Sequence, residues 1–285
     1  MATPTAGRPR RGESRTITLA NLKGGSCKTT TAVSVAACLA ETGRRVLLVD
    51  LDPQASATYW VGEQTSGATD RPPGATTTIS EVLTGEASIT DATRSTVISG
   101  VAIVTGSKRT AQAERHLARE PIGAETVLRR ALDDVRDQYD VVIIDSPPTL
   151  SLLTINGLFA ASELVIPVEA RILALTGLAE LADAVAKIRQ RAGHDLRITG
   201  IVVCRVDGRA RHPRAVLDAV RDAYGATVTD TVIRESIRLA ESPGYHLPIT
   251  SYDPHGHGAA DYRALTHELL TRGTNGKEEE KRTRR

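Results

Sequence analysis

Asn21-Leu-Lys-Gly-Gly-Ser-Cys-Lys-Thr-Thr30 lies between an apolar, strand-like run, Ile17-Thr-Leu-Ala20, and an Ala- and Val-rich helical stretch, Thr31 to Glu41. Strand, Gly-rich turn, Lys-Thr and helix, in that order, make a phosphate-binding loop. Gly24 and Gly25 let the backbone curl so that successive N–H groups converge on an anion. The helix that opens near Lys28 adds the positive end of its dipole. In this arrangement Lys28 reaches the β and γ phosphates of a nucleotide, and the Thr29 hydroxyl ligates Mg²⁺. Ser26, Cys27 and Thr30 complete the nucleotide-binding run.

Two further strand ends carry carboxylates. Arg45-Val-Leu-Leu-Val-Asp-Leu-Asp-Pro-Gln54 contains an apolar run, Val46 to Val49, that ends in Asp50 and Asp52. Tyr139-Asp-Val-Val-Ile-Ile-Asp-Ser-Pro-Pro148 leads four aliphatic residues into Asp145. Continuous apolar runs fit strands buried on both faces of a parallel sheet. Open α/β sheets bind ligands at the carboxyl ends of such strands. Asp145 is therefore expected to hold Mg²⁺ through a water, and Asp52 to orient an attacking water. Asp50 reads as either a ligand or a structural group.

Outward from these motifs, apolar runs alternate with helical patterns. Val101–Val104, Leu164–Val168 and Ile198–Val203 read as strands. Residues 111–119, 124–138, 175–191, 212–224 and 259–272 read as helices. The alternation predicts an α/β fold: a mostly parallel, doubly wound sheet with helices on both faces. At 285 residues the chain fits one large domain, residues 15–272. A flexible basic tail, 1–14, is expected before it, and a disordered charged tail, 273–285, after it. The polar stretch 62–78 reads as a surface loop. Aromatics make up only 3% of the chain, so the core must be built from Ala, Val, Leu and Ile.

Composition excludes several function classes. A net charge of +2 rules out a polycation, so any nucleic-acid contact must come from a local patch. The three cysteines, Cys27, Cys38 and Cys204, have no C-x-x-C spacing, which argues against zinc or iron–sulfur chemistry and fits a cytoplasmic protein. No run approaches the ~18 apolar residues of a membrane span. His255-Gly-His257, flanked by Pro254 and Gly258, reads as a turn rather than a metal site, and Trp60 as packing near the second carboxylate motif.

The loop departs from the common pattern: Leu22 stands where a Gly is usual, and a second lysine, Lys23, precedes the Gly pair. In this it resembles the deviant loop of the ParA/MinD group of ATPases. Leu150–Ala161, Ile166-Pro-Val-Glu169 with Ala174–Leu178, Ile237–Pro243 and Ile249–Pro254 extend the resemblance to the ParA family of partitioning ATPases, over roughly residues 15–272. Only about fifteen residues precede the first strand, as in the short type without an N-terminal helix-turn-helix. The resemblance implies an ATP-dependent homodimer in which Lys23 reaches the partner subunit's nucleotide. It implies slow hydrolysis of ATP to ADP and phosphate, stimulated by a ParB-type centromere-binding partner. It also implies ATP-dependent binding to non-specific double-stranded DNA, with nucleoid association. Arg205, Arg209, Arg211, Arg214 and Arg234 are the DNA candidates, and the bland alternative for the cluster 205–214 is a solvated loop and helix face. Two positions depart from the family: Cys27 stands where Gly or Ala is usual, and Glu235 where an Arg is common. A MinD-like membrane-cycling ATPase would need an apolar face that Lys277–Arg285 lacks. A non-enzymatic nucleotide-switch module stays open, and phosphate release separates it from an ATPase.

Overall fold

A computed structural model describes residues 14–62, 77–119, 122–171, 174–207 and 211–283. Eight strands form one sheet: β1 (Arg15–Leu19), β2 (Val46–Asp50), β3 (Thr93–Ser95), β4 (Val101–Val104), β5 (Val141–Asp145), β6 (Glu163–Glu169), β7 (Arg197–Val206) and β8 (Ile233–Arg234). Their order is β3-β4-β2-β5-β1-β6-β7-β8. All pairings are parallel except β3 with β4. The expected mostly parallel α/β architecture is therefore the observed one. Most of the expected loop 62–78 and the N-terminal tail lie outside the described residues.

β1 is the pivot. The chain leaves it toward β2 on one side and continues on its other side with β6. Ligands bind in the crevice that such a reversal opens at the strand ends. Register fixes what lines it: Asp50 on β2 and Leu19 on β1 both stand opposite Asp145 on β5. β2 and β5 are buried along their whole length, as the uninterrupted aliphatic runs require.

One face of the sheet packs against α1 (Lys28–Glu41) and the last helix, His257–Thr283, with Leu48, Ile143, Tyr262 and Leu265 in the shared core. The other face is covered by two groups of helices. Those between Ile79 and Ala160 pack over β2, β4 and β5, and helices 174–192 and 211–224 pack over β6 and β7. Trp60, 2% exposed, lies in the α1 layer on the short helix Ser56–Val61 and donates its indole N–H to the Leu247 carbonyl at 2.7 Å. At the opposite rim from the crevice, Arg15 forms a bidentate pair with Glu163 (2.7 and 2.6 Å) and donates to the Leu269 carbonyl at 3.0 Å. A Cβ on Gly273 would meet that guanidinium, which would have to shift to make room for it.

The helix expected to end at Arg272 runs on to Thr283. Lack of apolar periodicity, on which the shorter end was expected, does not stop a helix. Glu, Lys and Arg are good helix formers, and a helix already nucleated by packing extends at little cost.

Candidate nucleotide site

The phosphate loop is held in place by Asn21, buried at the end of β1. Its Nδ2 donates to the Pro167 carbonyl on β6 at 2.7 Å, and its Oδ1 accepts the Lys23 N–H at 3.1 Å. Lys28 Nζ donates to the Lys23 carbonyl at 3.2 Å, which folds the ammonium over the loop. Burial lowers the Lys28 pKa, and the neighbouring Asp145 and Asp52 charges oppose that shift. Asn21 escaped the sequence reading, although a short polar residue closing a buried strand is a signal for such a brace.

Two residues of the loop take left-handed backbone: Gly25 at φ 74° and Cys27 at φ 66°. Cys27 is the residue before α1 and its carbonyl accepts the Thr31 N–H at 2.9 Å. A side chain in that region costs roughly 1–2 kcal/mol, which glycine would avoid. The conformation, rather than size alone, explains why Gly suits this position.

Thr29 Oγ1 donates to Asp145 Oδ2 at 2.7 Å, so the two expected Mg²⁺ residues meet. Asp145 is wholly buried, and its other oxygen, Oδ1, has no hydrogen-bond partner among the described residues; neither has the buried Ser26 hydroxyl of the loop. Burial pushes the Asp145 pKa well up, and the Asp50 charge pushes the same way. An unpartnered, destabilised carboxylate oxygen next to a threonine hydroxyl is a donor set that a hard divalent cation suits. The residues present fit Mg²⁺.

Asp50 and Asp52 stand in different surroundings. Asp50 is fully buried and accepts from the Asp52 N–H (3.1 Å), the Thr58 N–H (2.8 Å) and the Thr58 hydroxyl (2.7 Å). Thr58 Oγ1 in turn accepts the Gly106 N–H at 2.8 Å. Burial raises the Asp50 pKa to about 6 against the pull of these hydrogen bonds. Of the two readings open for Asp50, the structural one holds: it braces the loop that carries Asp52. Asp52, 9% exposed, lines the crevice and spends one oxygen on the Gln54 N–H at 2.9 Å. We predict that Thr58→Val lowers stability by about 1–3 kcal/mol, because it takes one of three donors from the buried Asp50 and leaves the Gly106 N–H without its acceptor. Denaturant unfolding measures this; an unchanged midpoint would remove the brace.

The crevice has a volume of about 540 Å³ and is walled by the loop Gly24–Thr30, Asp52 and the segment from Ile233 to Ala240. The basic residues enter it unequally. Arg205, at φ 57°, pairs with Glu169 at 3.0 Å and Glu235 at 3.6 Å. Arg234 is clamped bidentately by Asp261 of the last helix, its guanidinium 2.6 Å from Oδ1. Arg209 and the side chains of Arg211 and Arg214 lie outside the described residues. His257 opens the last helix, with Nε2 3.0 Å from the Glu235 carbonyl.

Strand-end carboxylates, a glycine loop braced against the neighbouring strand and a lysine folded over it define a P-loop nucleotide-binding protein. Comparison with known proteins narrows the class. The AAA_31 family (AAA domain) matches residues 14–198. The chain is 37% identical to the sporulation initiation inhibitor protein Soj of Bacillus subtilis, over 90% of its own length and 98% of that protein's. It is 38% identical to the chromosome-partitioning ATPase Soj of Thermus thermophilus, over 92% and 98% of the two chains. Among solved structures, cobyrinic acid a,c-diamide synthase of Mycobacterium smegmatis, with bound ADP and magnesium, is similar at TM-score 0.78 and 33% identity, covering 93% and 97%. The chain belongs to the ParA/Soj family of P-loop ATPases.

Proposed function

We propose that this protein is a partitioning ATPase that binds Mg²⁺-ATP, dimerises on it, and in that state binds double-stranded DNA without sequence preference. The observation that carries the reading is the pair of lysines. Lys28 lies over its own loop, whereas Lys23 has its N–H and carbonyl fixed by Asn21 and Lys28 and makes no ion pair among the described residues. A lysine whose backbone is held and whose ammonium is free is built to reach outward. In the dimer it neutralises phosphate charge on the partner's nucleotide.

Phosphoryl transfer needs positioning and electrostatics more than covalent help from the protein. Lys28 and the loop N–H groups hold the β and γ phosphates. Thr29 and, through a water, Asp145 would hold Mg²⁺, which would neutralise phosphate charge. Asp52 accepts a hydrogen bond from the attacking water and aligns it with the γ phosphorus. Asp50 and Thr58 keep Asp52 at that depth. Loss of the γ phosphate removes the contacts that favour the dimer, and the joint DNA surface goes with it. A ParB-type partner accelerates this step. The setting is the cytoplasm, on the nucleoid; no helix among the described residues is long and apolar enough to cross a membrane.

For the DNA surface the reading rests on Arg205, Arg209, Arg211 and Arg214, which fall within ten residues of sequence, and on Arg234, which β8 places opposite Val206. Arg205 and Arg234 are already paired with carboxylates, so both must give up part of those pairs to meet phosphate. Binding is therefore expected only for the ATP form, with a log–log salt slope that grows by ~0.9 for each phosphate neutralised. Filter binding or anisotropy with unrelated duplexes tests it. Equal affinity for apo and ATP forms, or preference for one sequence, would count against the reading.

Lys23→Gln is expected to keep nucleotide binding by the monomer and to lose the ATP-induced dimer. Sedimentation with and without ATP decides this, and a variant that still dimerises returns Lys23 to solvent. Release of phosphate from Mg²⁺-ATP separates the enzyme from a nucleotide-switch module that binds without turnover.

A further inference from the structure

Seven large apolar side chains are exposed among the described residues, and five of them adjoin the mouth of the nucleotide crevice. Ile237, 76% exposed, lines the crevice itself. Tyr59, 61% exposed, lies one turn beyond the lining residue Ser56 on the short helix Ser56–Val61. Tyr245, 63% exposed, and Leu247 follow the helix Ile237–Glu241, whose Leu239 and Ala240 line the crevice. Leu150 stands two residues after the lining residue Pro148, on the β5 side. The other two, Val97 and Ile122, are on segments that contribute nothing to the crevice wall. The chain has only six tyrosines, and Tyr59, Tyr245 and Tyr252 share this corner. Their rings are held in place. Tyr59 lies 4.8 Å from the ring of His246, whose Nδ1 is 2.7 Å from the Tyr59 carbonyl. Tyr245 stacks on Tyr252 at 4.9 Å, and the Tyr252 hydroxyl donates to Glu241 at 3.0 Å.

We infer that this apolar rim is the core of the surface that a second copy of the chain covers when two nucleotide crevices face each other. The inference rests on the dimer of the proposed function and names the surface that makes it. A stable interface buries about 800 Å² on each partner. Its core is apolar and rich in aromatic residues. The loop Gly24–Thr30, Lys23 and Asp52 supply charge and hydrogen bonds around a concave site, and little apolar surface. The rim supplies what they lack. An interface with two-fold symmetry uses the same patch on both copies, so each rim residue counts twice.

The chemistry of the patch selects its occupant. Arg238 and Glu241 pair with each other at 3.0 Å, and Glu235 pairs with Arg205, so the charges within the patch are answered by the chain itself. What remains to be covered is neutral and apolar, which does not call for an acidic or a basic partner. The rim also lies on two sides of the mouth, with Leu150 beyond β5 and the tyrosines beside the segment after β8. A partner as broad as this face covers both sides at once, and a second copy is such a partner. Rings already fixed by His246 and Tyr252 lose little freedom on docking. Neither Tyr59 nor Tyr245 lines the crevice, so both act on the dimer without touching the nucleotide.

The test uses the full-length protein with Mg²⁺ and a non-hydrolysable ATP analogue, followed by sedimentation and by oxidative footprinting of tyrosines read by mass spectrometry. In the parent, Tyr59 and Tyr245 should be protected with the analogue and labelled with ADP, while Tyr224, remote from the rim, is labelled alike in both. Tyr59→Glu and Tyr245→Glu, made singly, should bind the analogue as the parent does and dimerise roughly tenfold or more weakly. Tyr245→Phe should keep the dimer. Ile122→Glu, at an exposed apolar residue away from the rim, should dimerise like the parent. The footprint needs no substitution, so it decides the matter if a glutamate variant folds poorly. A parent dimer with both tyrosines still labelled, or glutamate variants that dimerise like the parent, overturns the inference and leaves the dimer standing. A parent that binds the analogue and stays monomeric refutes the dimer of the proposed function, and the rim's role with it.

Discussion

Lys28→Ala is expected to bind ATP about 10- to 100-fold more weakly and to show no nucleotide-dependent dimer. A hydrogen bond to a charged group contributes about 1.5–3 kcal/mol, and each 1.4 kcal/mol is about tenfold in affinity. The ammonium lies over the loop, held by the Lys23 carbonyl, so little rearrangement offsets that gain. Its removal also leaves the wholly buried Asp145 without a cationic neighbour that lowers its pKa. Calorimetric titration with a non-hydrolysable ATP analogue measures the loss. Affinity within threefold of the parent would place the main phosphate counter-charge elsewhere, with Lys23 the first alternative.

Asp52→Ala should do the opposite: bind ATP and dimerise, but turn over about 10²- to 10⁴-fold more slowly, the usual contribution of a positioned general base or water-orienting group. Asp50, Thr58 and Gly106 are untouched by the change, so the loop keeps its brace. Phosphate release under saturating Mg²⁺-ATP is the measurement. Turnover at the parent rate would transfer the water-orienting role to another group on the crevice wall. The two variants together separate binding from chemistry, because one removes charge from the phosphates and the other removes only alignment of the water.

How much of this was legible in the sequence differs from element to element. β2 and β5 announce themselves because a strand buried on both faces must be apolar throughout, and their terminal carboxylates then stand out. β3 and β8 do not. Thr93–Ser95 is a polar, antiparallel edge strand, and Ile233–Arg234 has two residues, too few for any period. The helices Ile79–Leu83, Ile237–Glu241 and Ile249–Tyr252 are equally short and exist through tertiary packing, not propensity. In the site, the roles proposed for Lys28, Thr29 and Asp145 follow from motif spacing, and the geometry places the last two in contact. The division of labour between Asp50 and Asp52 required the hydrogen bonds, since two carboxylates at one strand end read alike until their partners are known. The clamps on Arg205 and Arg234 belong to strand order, which no local pattern encodes.

The chain contains one tryptophan, and its place gives the molecule a single indole signal. Trp60 lies on the short helix that begins just after the Asp52 loop, and its indole N–H reaches across to the Leu247 carbonyl near the C-terminal segment. Its emission depends on the polarity around the indole and on that one hydrogen bond. A shift of the carboxylate loop against the C-terminal segment therefore changes the only indole fluorescence the protein emits, with no label added. The residue that staples these two parts of the structure together is also the one that reports when they move.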